Sequence, residues 1–135
     1  DRPSVLMQWR YFQHPRHRYS VWVALEKEAW KGAVIVRSGI SRNLSAGWIT
    51  EILADPADLP VIRALLEHAE RNLVQELSQP LVFLRCAMLQ PQIESALTQA
   101  GFWRAPSPLH WMTQGLDIRP QEWMLNSGDS DLDAV

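Results

Sequence analysis

A run of strand-forming residues, Trp48-Ile-Thr-Glu-Ile-Leu-Ala-Asp-Pro56, passes through a short turn into the helical pattern Pro60-Val-Ile-Arg-Ala-Leu-Leu66. At a junction of this kind a phosphate group can meet backbone N–H groups and the positive end of a helix dipole. That chemistry favours glycine, which lets the backbone approach the anion, and this junction has no glycine. It has Asp58, a carboxylate placed to cap the helix, and Pro60, which has no N–H to offer.

Other reactive residue types are scattered. Trp9-Arg-Tyr-Phe-Gln-His-Pro-Arg-His-Arg-Tyr19 interleaves bases with aromatics, a composition that can stack on single-stranded nucleic acid. A formal net charge of −2 gives the chain no general attraction for nucleic acid. The expected arrangement is therefore a surface helix and turn whose aromatics pack on a sheet, with no nucleic-acid partner. His14 and His17 are three residues apart but lack an accompanying carboxylate pair, so no metal site is expected. His68 falls on a helix flank and reads as a surface residue, and His110 alternates with Trp111 and could face a cleft. Asp129, Asp131 and Asp133 have the spacing of a calcium loop without its later glutamate, which points to a solvated tail. Cys86 is the single cysteine, in the apolar run Leu81–Ala87. It reads as an inert core thiol, and neither an intramolecular disulfide nor a cysteine zinc cluster can form. No Ser-His-Asp arrangement, phosphate-binding P-loop or dinucleotide fingerprint is visible.

The elements that must position these residues follow from periodicity and punctuation. Ser4–Phe12 is expected as a short helix, capped by Ser4, with Val5, Leu6, Trp9 and Phe12 as its apolar stripe. Tyr19–Leu25 and Trp30–Arg37 read as a hairpin around the charged turn Glu26–Glu28. Ser38–Gly47 is polar, contains two glycines and reads as a loop, and Trp48–Ala54 reads as a third strand. A long amphipathic helix follows Asp58, with Leu59, Ile62, Leu65, Leu66, Ala69, Leu73 and Leu77 on one face. Arg63, Glu67, Glu70 and Arg71 lie on the other face, where Glu67 and Arg71 suit an (i, i+4) pair. Leu81–Ala87 reads as a central strand buried on both faces. Pro91 opens a further helix with Ile93, Ala96, Leu97 and Ala100 inward, ended by Gly101 as a left-handed cap with Phe102 folding back. Pro108–Gln114 and Trp123–Asn126 are expected as a fifth and a sixth strand.

The expected fold class is α/β (α+β): a mixed, mostly antiparallel sheet of about six strands with helices on both faces. Residues 1–127 are expected to form one domain and residues 128–135 an acidic, frayed tail. A chain of 135 residues buries about two thirds of its unfolded surface, and seven tryptophans should dominate its core. There is no signal peptide and no apolar stretch long enough to span a bilayer, so a cytoplasmic location with no membrane partner is expected. The chain opens on Asp1 rather than Met, and is expected to be part of a longer protein with a further domain upstream.

In its element order the chain resembles the GNAT superfamily of acyl-CoA-dependent N-acyltransferases, over roughly Tyr19 to Thr113. The resemblance is carried by the strand ending Ile52-Leu-Ala-Asp-Pro56 with the helix containing Arg63-Ala-Leu-Leu66, by the strand Leu81–Ala87, and by Ala96-Leu-Thr-Gln-Ala-Gly-Phe102. The last is similar to the family's Leu-Tyr-x-x-x-Gly-Phe ending. The resemblance implies acyl transfer from acetyl-CoA or another acyl-CoA to an amine, on a small molecule or a protein. It implies a pyrophosphate cradle at the N-terminus of the long helix and a pantetheine arm lying along the third strand like an added strand. It places Glu51 as the general base and Leu53, Ala54, Leu59 and Val61 around the cofactor. The chain departs from the family where the glycine-rich Arg/Gln-x-x-Gly-x-Gly/Ala loop should stand. It also has Leu97, which cannot donate a proton, where the family often carries an acidic tyrosine. Two functions follow: a GNAT-like N-acetyltransferase domain, or a catalytically silent GNAT-like module acting as the acceptor-binding or interaction domain of a larger protein. An apolar, tryptophan-rich edge would serve as a homodimer surface.

Overall fold

The computed structural model describes residues 4–87 and 90–106. The order is α1 (Ser4–Met7), continued by a π-helical turn (Gln8–Phe12), then β1 (Ser20–Glu26), β2 (Ala29–Ser41), β3 (Leu44–Ala54), α2 (Leu59–Glu76), β4 (Phe83–Cys86) and α3 (Pro91–Gln99). The four strands form one sheet in the order β1-β2-β3-β4. The pairs β1–β2 and β2–β3 are antiparallel, and β4 runs parallel to β3 after the crossover through α2. The fold is thus a mixed α+β sheet, as expected. The expected fifth and sixth strands, His110 and the acidic tail lie outside the described residues.

Both hairpins turn on two residues with positive φ, Lys27 and Glu28 in the first and Arg42 and Asn43 in the second. This is the mirror-image turn whose twist matches that of its flanking strands. The expected loop over Ser38–Gly47 is instead strand on both sides of the Arg42-Asn43 turn, with Ser38 opposite Gly47 and Ser41 opposite Leu44. The two glycines serve packing, not turning. A Cβ on Gly47 would stand 2.8 Å from Leu84 Cδ1 and 2.9 Å from Leu73 Cδ1, and one on Gly39 would stand 3.2 Å from the Trp48 ring.

The core lies between one sheet face and the two helices α2 and α3. Val34, Val36, Ile49, Ile52 and Ala54 meet Ile62, Leu65, Leu66, Ala69 and Leu73 of α2 and Ile93, Ala96 and Leu97 of α3. Asp58 caps α2 by accepting the Val61 N–H, with Pro60 in the first turn. Along the outer face of α2, Arg71 donates to the main-chain carbonyl of Glu67, which replaces the side-chain pair expected there. His68 is half-buried rather than on the surface, its ring meeting Trp22 edge-on at 4.7 Å. At the end of α3, Gly101 has φ +93°. The Phe102 N–H bonds back to Leu97 O and the Gly101 N–H to Thr98 O, with Phe102 packed on the core. This is the expected left-handed cap. Ala100, expected inward, is exposed at the turn that leaves the helix.

Two further expectations are corrected. β4 is the outermost described strand, and its residues are half-buried, with Arg85 exposed, rather than buried on both faces. The N-terminal helix faces the opposite way from its apolar stripe. Trp9 is 57% and Phe12 69% exposed, Val5 and Leu6 are exposed as well, and Tyr11 is the buried residue at 3%. The widened turn, closed by Gln13 N–H to Gln8 O, shifts the angular phase of the segment, and the Tyr11 hydroxyl finds a polar partner on the sheet.

Candidate functional site

Glu51 owes its position to an irregularity in β3. Ile35 pairs with Glu51 while the next residue of β2, Val36, pairs with Ile49, so Thr50 is an extra residue on β3. Such a bulge re-aims the side chains around it. Thr50 Oγ1 donates to Ile35 O at 3.0 Å. The bulge brings Ile49 and Ile52, three apart, onto the helix-facing side, and sends Glu51 to the opposite face, outside the apolar core. There its side chain is 1% exposed.

Tyr11 reaches this carboxylate from the π-helical turn, donating its hydroxyl to Glu51 Oε1 at 2.5 Å. Burial, and then the Glu51 carboxylate, push the Tyr11 pKa well above the usual phenol range, while the Arg10 guanidinium opposes them. Tyr11 therefore keeps its proton and acts as a fixed donor. Around it, Tyr19 stands edge-on to Tyr11 at 5.1 Å, to His14 at 5.7 Å and to His17 at 6.4 Å. His14 and His17 stack with centroids 5.0 Å apart. Nearby in the sheet, the buried Arg37 lies over the ring of its cross-strand partner Trp48 at 3.9 Å, a cation–π contact in a dry setting.

This pair sets a fixed phenol donor against a carboxylate, and both groups are sealed from solvent in the described arrangement. Glu51 is legible in the sequence as a strand carboxylate. Its partner Tyr11 is not, because the apolar stripe of residues 5, 6, 9 and 12 points the segment the other way. The available signal is the tyrosine inside an acid-free stretch of bases and aromatics.

The residues expected around a cofactor are spread along the β3–α2 junction. Leu53 is half-buried and its backbone is paired with Ala33, and Ala54 is a core residue paired with Gly32. Leu59 and Val61 pack against the core. The junction's donors are engaged by its own acids. Asp55 Oδ1 accepts the Ala57 N–H at 2.9 Å, Asp55 O accepts the Asp58 N–H, and Asp58 Oδ1 accepts the Val61 N–H at 3.3 Å. The parallel register of β3 with β4 ends at Ile49 and Cys86, before Leu53 and Ala54.

Cys86 is half-buried against the core, and burial pushes its thiol pKa up, away from the reactive thiolate. Among the described residues no group of three or more His, Cys, Asp or Glu is placed to hold a metal ion, and no helix is long and apolar enough to cross a membrane. A shallow depression over Glu67, Glu70, Arg71, Val74 and Gln75 lies on the outer face of α2, on different elements from this chemistry.

No family model and no curated protein sequence matches the chain. Among solved structures, it is similar to the crystal structure of wild-type TTHA1254 from Thermus thermophilus, with a TM-score of 0.52 and 18% identity over 87% of this chain and 98% of that one. It is similar also to a mutant of the same protein, with a TM-score of 0.53 and 17% identity over the same shares. The likeness is one of fold. Identity this low carries architecture and no site chemistry.

Proposed function

We propose that this chain is a GNAT-like module that works within an amine acyltransferase without seating acyl-CoA itself, serving as the acceptor-binding or interaction domain. The observation that carries this reading is the closed N-terminus of α2. A cradle for a diphosphate needs available N–H groups and a positive local field. Here Asp55 and Asp58 occupy the donors of Ala57 and Val61 and set two carboxylates at the start of the helix. Pro60 withholds another donor. Repulsion between like charges at close range then adds to the lost hydrogen bonds.

The test is titration of the chain with acetyl-CoA, followed by calorimetry and thermal unfolding. Ligand at 100 times its dissociation constant would add about 2.7 kcal/mol of stability. No binding heat and an unchanged melting temperature at about 1 mM are expected; a saturable shift would overturn the silent reading.

A second reading has its own support. In the acetyltransferase form, Glu51 is the general base, and the acyl-pantetheine arm lies beside Leu53 and Ala54, where the β4 register has already ended. Glu51→Gln in a chain that bound acetyl-CoA would then lose turnover with little change in cofactor affinity. Unchanged turnover would remove Glu51 from the mechanism.

A further inference from the structure

Residues 13–19 join the π-helical turn to β1, and their geometry centres on one imidazole. His14 Nδ1 accepts two main-chain N–H groups, from His17 at 3.0 Å and from Arg16 at 3.2 Å. An imidazole nitrogen that accepts carries a lone pair and no proton, so the neutral ring holds its proton on Nε2. The same ring stacks on His17 and meets Tyr19 edge-on, and Tyr19 in turn packs against Tyr11, the donor to Glu51. A continuous set of contacts therefore runs from His14 to the buried carboxylate.

We propose that His14 is an acid-sensitive clasp: its neutral ring holds the 14–17 turn closed and, through Tyr19, keeps Tyr11 seated on Glu51, and a proton taken from solvent at Nδ1 opens it. The chemistry is one of donor and acceptor. Protonated Nδ1 becomes a donor facing two backbone donors, so both bonds are lost together.

The charges around it reinforce the effect. The turn itself carries Arg16, Arg18 and the stacked His17, and the π-helical turn carries Arg10 and the neutral Tyr11. The connection into β1 presents the phenol of Tyr19, and β3 presents Glu51, which accepts from Tyr11. No acidic residue occurs between Arg2 and Leu25, and Glu76 of α2, which reaches the start of β1, accepts from the Ser20 hydroxyl at 2.8 Å. A second proton on His17 would place a like charge about 5.0 Å away, centroid to centroid. Imidazole is the side chain whose ordinary change of charge falls between about pH 5 and pH 8, the interval a test must span. The clasp depends on no cofactor and holds whether or not the chain binds acyl-CoA.

The test is hydrogen exchange and side-chain NMR on the whole chain between about pH 7.5 and pH 5.5. After correction for intrinsic rates, exchange of the Arg16 and His17 amides should accelerate about ten-fold relative to core amides, and the Glu51 carboxyl carbon shift should move with it. In His14→Asn the amide oxygen replaces Nδ1 as an acceptor that does not titrate, so both responses should vanish. His17→Asn should retain them. Unchanged protection in the natural chain, or the same pH response in His14→Asn, would overturn the clasp. A Glu51 signal that stays still while the amides respond would overturn its link to the carboxylate. A measurement on the natural chain alone also decides. At about pH 7.5 the nitrogen shifts of His14 should report an unprotonated Nδ1, and a proton there would end the proposal.

Discussion

The Tyr11 hydroxyl donates to the most buried acid among the described residues, Glu51. Without Tyr11, Glu51 would lose its short hydrogen bond in a setting with almost no water contact. Tyr11→Phe keeps the ring and removes the bond, and should cost about 1–3 kcal/mol in urea unfolding. A change under about 0.5 kcal/mol would mean that the bond contributes little beyond what water gives the unfolded chain. Glu51→Gln, which can still accept from Tyr11, should cost less than Tyr11→Phe on the same assay. Glu51 is readable from strand pattern and resemblance because a carboxylate on β3 is a local fact. Tyr11 is not, because its orientation depends on the π-helical turn and its partner lies 40 residues away in the chain.

At the scale of elements, the chain is legible wherever one residue type does one local job. Asp58 as cap, Pro60 in the first turn and Gly101 with φ +93° all follow from side chain or backbone chemistry within a few residues. Asp58→Ala should destabilise by about 1 kcal/mol by thermal unfolding, the loss expected of a cap. The second hairpin is hidden in the sequence, because Gly39 and Gly47 look like loop residues and are packing residues. Gly47→Ala should cost about 1–3 kcal/mol, since its Cβ meets Leu73 and Leu84 together in a closed site. The first hairpin stores the opposite opportunity. Lys27 and Glu28 hold positive φ without the residues that favour it. Replacing them by Asn-Gly should stabilise the domain by about 1–2 kcal/mol; a neutral or destabilising result would show that their side chains contribute more than the backbone strain removes. The bond of Lys31 to Glu26 at the same end is exposed and adds little.

At the scale of the whole molecule, the sheet divides two environments. One face carries an apolar core with α2 and α3, and the other carries Glu51, Arg37 and the N-terminal turn. Two raised pKa values connect this division to alkaline stability. Burial raises the Cys86 thiol, and burial with Glu51 raises the Tyr11 phenol. A folded-state pKa above the unfolded one means that the folded chain holds the proton longer. The contribution is complete below the unfolded value and is lost as pH rises past it. Stability should therefore decline above about pH 8.5 and more steeply above about pH 10, the ordinary thiol and phenol values. Cys86→Ala should flatten the first stage and Tyr11→Phe the second, measured as unfolding free energy against pH. If neither variant alters the profile, other groups govern base unfolding.

Residue order alone specifies the succession of the four described strands and the helices between them, the long amphipathic α2, its acid cap and the lack of a glycine cradle. These rest on periodicity and on chemistry within a few residues. Long-range packing selects the rest: which face Glu51 occupies, that Tyr11 binds it, and that Gly47 admits Leu73 and Leu84. The reason is physical. A one-residue bulge at Thr50 and a widened turn at Gln8–Phe12 each change the angular phase of a segment, and phase is set by packing partners far away in the chain.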